Sequence, residues 1–212
     1  MNPRDRVTLF EKELSYIHDS HLEAFAEVCL MDAPDYFFYI PASSTGKYHP
    51  QYALGEGGLV RHVKAAIGIF HELCKADIDM YYYHEYYLLG DKLSGIDRDQ
   101  LQDEVVIALF LHDVMKHGYA EGHTIHEHPL YAAQFFEHEA KEYGLSPSVT
   151  QRISSMIASH MGKWNISQYS SIALPTPESG LWGNKLVHLC DYLASRKCLE
   201  YQFDNKMQGE EA

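Results

Sequence analysis

An all-α fold built as a single helical bundle is what this sequence predicts. Apolar residues recur at helical spacing over most of the chain, strand-like alternation is weak, and an apolar content of 46% in 212 residues suffices to bury one substantial core. No internal repeat is visible.

Taken in order, Val7, Leu9, Phe10, Leu14, Ile17, Leu22, Phe25, Val28 and Cys29 define a first helical region that should end near the turn signal Asp32-Ala-Pro34. From Tyr36 to Gly58 the pattern breaks into Pro41, Ser43, Ser44, Gly46, Pro50, Gly55, Gly57 and Gly58. This is loop chemistry, and a connection of that length points to function. Residues 36–40 could form a strand, although so short an apolar run is ambiguous. Further helices are expected over about 59–74, 99–116 and 129–143. Pro129 suits a first helical turn, and Thr124 and Glu127 stand at capping-box spacing before it. Ser146-Pro147 opens a helix reaching His160, and Pro175-Thr-Pro-Glu178 leads into a last one over roughly 181–201. The polar tail from 204 to 212 should fray.

Seventeen basic against thirty acidic side chains leave a net charge of −13, which repels a polyanion and excludes extended duplex binding. A pocket with local positive charge can still take a small phosphorylated ligand. No apolar stretch is long enough to span a membrane, and no signal-type core follows Arg4, Asp5 and Arg6, so a cytoplasmic protein is expected. Cys29, Cys74, Cys190 and Cys198 are widely spaced without a CxxC pair and read as thiols in a reducing compartment. Histidine is the outlier, with 14 copies. His18, His21, His71, His84 and His138 fall on polar faces, where solvation accounts for them.

Four of the other histidines fall in a pattern with two aspartates. His62 lies near the start of one helix, His112 and Asp113 near the end of the next, His128 at the mouth of another, His160 at the end of the fifth and Asp191 in the last. Inward-facing His and carboxylate side chains from several helices are how bundles build metal sites, and imidazole with carboxylate suits zinc, iron, manganese or similar ions. His123 and His126 are rivals to His128, which Pro129 favours by fixing it against the following helix.

The ordered pieces Gly-Gly-Leu-Val-Arg-His62, Leu-His112-Asp113-Val-Met-Lys116, Glu-His128-Pro, Ile-Ala-Ser-His160-Met-Gly and His-Leu-Cys-Asp191-Tyr-Leu-Ala-Ser resemble the HD-domain superfamily of metal-dependent phosphohydrolases. Their layout is similar to the HD domain of YhaM-type exoribonucleases. The resemblance implies one HD domain over residues 1–212, with a motif-bearing core at 57–200 and the helix and loop of 1–56 packed on it. It also implies that His62, His112, Asp113 and Asp191 hold one divalent ion, that His128 and His160 serve a second, and that Asp113 bridges them. Iron, manganese, zinc, nickel and magnesium are not distinguished by the ligand set. Met161 follows His160 and no GYP sequence occurs, which separates this chain from the family's cyclic-di-GMP phosphodiesterases.

Around this set, Lys116 follows Asp113 by three residues, on nearly the same helical face, and is expected to contact phosphate or the transition state. Arg61 and Lys64 flank His62, and Lys163 follows His160. Arg61 and Lys163, with Lys47 and His49 of the loop, are the candidate substrate contacts. The run Ser43-Ser-Thr-Gly-Lys47-Tyr-His49 is not a P-loop, because Pro41 and Tyr48 stand where that motif requires Gly and Ser or Thr. Tyr81, Tyr82, Tyr83, Tyr86 and Tyr87 could stack a base, although core or interface packing is the favoured reading. The expected activity is hydrolysis of a nucleotide or other small phosphoester, with Asp113 and Lys116 at the reacting centre. The alternatives are a di-iron oxygenase of the same fold and a non-catalytic nucleotide-binding module, and any of the three is compatible with a homo-oligomer.

Overall fold

The computed structural model describes residues 1–43, 45–80, 98–119, 122–180 and 182–199. Among these residues all regular structure is helical: α1 (Pro3–Thr8), α2 (Glu11–Leu14), α3 (Ser20–Asp32), α4 (Gly58–Lys75), α5 (Arg98–Leu111), α6 (His128–Tyr143), α7 (Pro147–Ala158) and α8 (Trp182–Ala194). Short 3-10 turns stand at Asp35–Phe38, Gln51–Ala53, Gly162–Trp164 and Pro177–Ser179. None of the described helices is long and apolar enough to cross a membrane. The tyrosine run at 81–87, His84 and the tail from 204 to 212 lie outside the described residues.

Helix α5 is the axis of the bundle. It packs against α3, α4, α6, α7 and α8, and every residue from Asp103 to Leu111 is buried, as expected for a helix enclosed on all sides. Its two buried carboxylates are answered. Asp103 accepts from the backbone N–H groups of His18 and Asp19 at 2.8 and 2.9 Å, while Arg152 on α7 donates two bonds to Glu104 at 2.6 and 2.7 Å, the geometry that suits a planar guanidinium. His18 is therefore more than a solvated side chain, since its Nδ1 also lies 2.8 Å from Asp103.

The first helical region is three helices, not one. Asn2 caps α1 by accepting from Asp5 N–H, and Asp19 caps α3 by accepting from His21 and Leu22 N–H; each such side chain starts a helix afresh. Phe10, Leu14 and Ile17 still face the core across the breaks, so the apolar spacing reads as continuous. Residues 36–40 form no strand: Asp35–Phe38 is a 3-10 turn whose Phe37 and Phe38 are buried, and burial explains their apolar character.

Helix α4 begins where two glycines let the loop cross it. Gly57 has the left-handed φ of 68°, and a Cβ on Gly58 would lie 2.4 Å from Ala53 O, a distance no side chain tolerates. Arg61 fastens the crossing, with Nε and Nη2 donating to the carbonyls of Tyr52, Leu54 and Glu56.

Helix α5 stops at Leu111, short of the predicted Lys116. Bonds from Val114, Lys116 and Gly118 N–H to the carbonyls three residues earlier turn the chain instead. Helix α8 ends at Ala194 rather than near 201. Helix α6 starts at His128 without a side-chain cap, so Thr124 and Glu127 form no capping box; Glu127 accepts instead from the Ser170 hydroxyl.

Candidate metal centre

Two clusters of ligand atoms face one another at the middle of the bundle. His62, His112 and Asp191 form the first, and Asp113, His128 and His160 the second, with the ligand atoms of each lying within 4.8 Å of one another. Asp113 joins them. Its Oδ1 lies 2.9 Å from His128 Nε2 and 3.6 Å from His160 Nε2, while its Oδ2 lies 3.7 Å from His112 Nε2 and 4.0 Å from His62 Nε2. Asp191 Oδ1 closes the first cluster at 3.0 Å from His62 Nε2 and 3.7 Å from His112 Nε2.

Helix C-termini aim two of the four imidazoles. The last carbonyls of a helix lack intrahelical partners. His112, just past α5, sends Nδ1–H to Leu109 O at 2.8 Å, and His160, just past α7, sends Nδ1–H to Ile157 O at 2.8 Å. His128, the first residue of α6, sends its Nδ1–H instead to Ile125 O in the turn before the helix, at 2.7 Å. A carbonyl only accepts, so each Nδ1 carries a proton and each ring turns its Nε2 to the centre. It is His128 that reaches Asp113, whereas His126 Nε2 faces Asn165 O at 3.3 Å and His123 is exposed.

This donor set fits a divalent cation. His128 and His160 place their Nε2 atoms 3.2 Å apart, and Asp113 Oδ1 beside them has no hydrogen-bond partner among the described residues although it is buried. Two imidazole nitrogens and a carboxylate oxygen thus converge. Their separations are those of ligands sharing one ion at about 2.0–2.2 Å. Burial, reinforced by the neighbouring His112 and His128, pushes His160 down to about 4, so at neutral pH a proton is no substitute for the cation. Burial also opposes charge on Asp113 and Asp191, but Lys116 and the histidines around Asp113, and His112 and His62 around Asp191, hold both carboxyls well below the usual range. For His112, burial favours the neutral ring, and Asp113 with Asp191 outweighs it and raises the group.

The candidate substrate contacts separate. Lys116 lies at the centre, its Nζ 2.5 Å from Asp113 Oδ2. His49 packs its ring against that of His62, with centroids 5.6 Å apart, and its buried Nδ1 has no partner among the described residues. Burial, then the charges of His62 and Lys116, press it down to about 4. Arg61 is instead committed to the loop carbonyls, and Lys64 is buried against Glu13 and Leu9 O at 2.7 and 2.6 Å; charge flanking His62 in sequence is turned away from it in space. Lys47 and Lys163 are exposed and lie over the rings of Tyr48 and Trp164.

Sequence reasoning passed over His188. Its Nδ1–H donates to His160 O at 2.7 Å, fixing the backbone that carries this imidazole. It stands three residues before Asp191, a spacing that places both on one face of α8. Gly162 completes the contact: with φ of 57°, its missing side chain leaves room for the His188 ring, which a Cβ would meet at 2.2 Å.

An all-α bundle with four buried histidines and two aspartates at its centre, one of them shared between two clusters, defines a class of helical proteins whose core could hold divalent metal. The HD-domain pattern matches residues 62–196, more than half of the chain, and the protein belongs to the HD-domain family. HD domains are commonly metal-dependent hydrolases. No curated protein and no solved structure matches the chain.

Proposed function

We propose that the protein is a phosphohydrolase that cleaves a nucleotide or another small phosphoester at a pair of divalent ions. The observation that carries this reading is Asp113, whose two carboxylate oxygens face different clusters, with the Nε2 atoms of His128 and His160 converging on its Oδ1. Bound divalent ions would supply a water whose pKa falls from about 15.7 toward 7, together with a Lewis acid for the phosphoryl oxygens.

The chain's own residues do the rest. His62, His112 and Asp191 would hold one ion and His128 and His160 the other, with Asp113 shared. Lys116, charged and only 12% exposed at its side chain, faces the reacting centre and would neutralise the charge that gathers on the phosphoryl group. His49, held neutral beside His62, is placed to accept from or donate to the substrate. Hydrolysis forms one P–O bond from water and breaks that to the leaving alcohol, which receives the proton. The side chain of Asp191 is 20% exposed whereas that of Asp113 is 2% exposed, so the substrate would approach from the α8 side.

The test loads the purified protein with manganese and, separately, with iron. Metal content, phosphate release from a panel of nucleotides and oxygen uptake are then measured. Two ions per chain and phosphate release without oxygen consumption are expected. Oxygen uptake without phosphate release would establish the oxidative alternative. Metal binding with neither reaction would leave a binding module.

A further inference from the structure

Beside the centre runs a strip of alternating rings and cations. The Trp164 and Tyr192 rings stack, with centroids 5.7 Å apart and planes 18° from parallel. Lys163 Nζ lies 4.8 Å from the Trp164 centroid. On the other side, the Arg196 guanidinium lies 4.4 Å from the Tyr192 centroid and 5.5 Å from that of Tyr48, and Lys47 Nζ lies 4.9 Å from Tyr48. The strip is open to solvent, since Trp164 is 41% and Tyr48 55% exposed.

Two features separate it from an ordinary surface. In a chain carrying thirty acidic side chains, none of Lys47, Lys163 and Arg196 pairs with a carboxylate among the described residues. Arg196 Nη2 donates to Ser195 Oγ at 2.9 Å, yet its buried Nε has no acceptor. The strip also adjoins the centre at both ends. Tyr192 follows Asp191, Trp164 lies on the turn after His160 that His188 secures, and Tyr48 precedes His49, whose ring meets His62. Lys197 N–H holds Tyr48 O at 3.0 Å, fixing loop and helix end together.

We propose that this strip is the subsite for the nucleoside part of the substrate, so that the phosphoester cleaved carries a nucleobase. A base laid on the open Trp164 face extends the Trp164–Tyr192 stack, an interaction open to any base because each has a π-face. Lys163 and Arg196 supply local positive charge, and a phosphate can satisfy what no carboxylate does. The inference takes the phosphohydrolase reading as given and names the substrate class for that site.

The probes are adenosine 5′-monophosphate and ribose 5-phosphate, which differ only by the base. Calorimetric titration of the metal-loaded protein should give about tenfold or greater preference for the nucleotide. Emission should be quenched by the nucleotide alone, because Trp164 is open while Trp182, the other tryptophan, is buried. Trp164→Leu should remove both the quench and the preference, and Trp164→Phe should lose the quench while keeping the preference. Equal affinities in the wild-type protein, or a preference surviving in Trp164→Leu, overturn the proposal. If Trp164→Leu does not fold, the wild-type titrations with Trp164→Phe decide it. Phosphate released from both esters without preference defeats the subsite and leaves the hydrolase standing. Preference and quench with no phosphate released from any ester defeat the hydrolase reading alone.

Discussion

His112 and Asp113 show how much two adjacent residues can carry when a helix ends between their roles. His112 folds back on Leu109 O, which α5 leaves without a helical partner, and so joins the cluster of His62 and Asp191. Asp113 sends one oxygen to each side. Replacing Asp113 by Asn removes the charge both clusters share, so metal content measured by elemental analysis should fall for both ions. His128→Ala should lose one ion and retain the other. Lys116→Met should leave metal content unchanged and lower kcat on the order of 10²-fold; an equal loss of metal would show that its bond to Asp113 matters for assembly, not turnover. The doublet, His62, His128, His160 and Asp191 were all legible from motif order. His188 was not, because its contact is with the backbone of His160 and no ligand-type spacing announces it. Arg61 and Lys64 misled for the opposite reason: proximity to His62 in sequence says nothing about which face of α4 a long side chain takes.

At the scale of elements, the centre depends on how helices end. Periodicity predicts α5 through Lys116, but the i→i+3 turns after Leu111 have the same apolar residues and leave no mark in the pattern. The Gly162 turn after α7 is of this kind. Gly162→Ala places a Cβ against the His188 ring and keeps a positive φ, so it should destabilise by about 1–3 kcal/mol in denaturant titration. It should also weaken metal affinity, since His160 lies two residues away. The pair between α5 and α7 makes a second prediction. Arg152→Met strands the buried Glu104 carboxylate, and the cost in chemical unfolding should be about 3–5 kcal/mol. In the first helical region, Asp19 starts α3 afresh, but the run of Phe10, Leu14 and Ile17 continues into the core before it and masks the break.

Over the whole molecule, the loop preceding α4 is bound to the bundle by two phenols. Tyr36 donates to Gly118 O at 2.7 Å and Tyr52 to Ala194 O at 2.9 Å. Burial pushes both up to about 12, with Asp113 adding to the effect at Tyr36. An unfolded tyrosine ionises near 10. Because the folded values are raised, the stability these groups contribute is complete below about pH 10 and is lost as pH rises toward 12. Denaturation midpoints should therefore fall across that window, with tyrosinate absorbance developing late. Tyr52→Phe should reduce the pH dependence; an undiminished slope would refute the assignment. Taken alone, the sequence determined the helical class, the net negative charge and the series of candidate metal-holding residues, because periodicity, composition and motif order are properties of the chain itself. Only the tertiary structure decided that Asp113 joins two clusters, that His128 and not His126 faces it, that Arg61 and Lys64 serve packing, and that Trp164, Tyr192, Arg196 and Tyr48 form one strip. The reason is physical: these residues are far apart in the chain, and their meeting depends on where each helix stops and which way its last turn points.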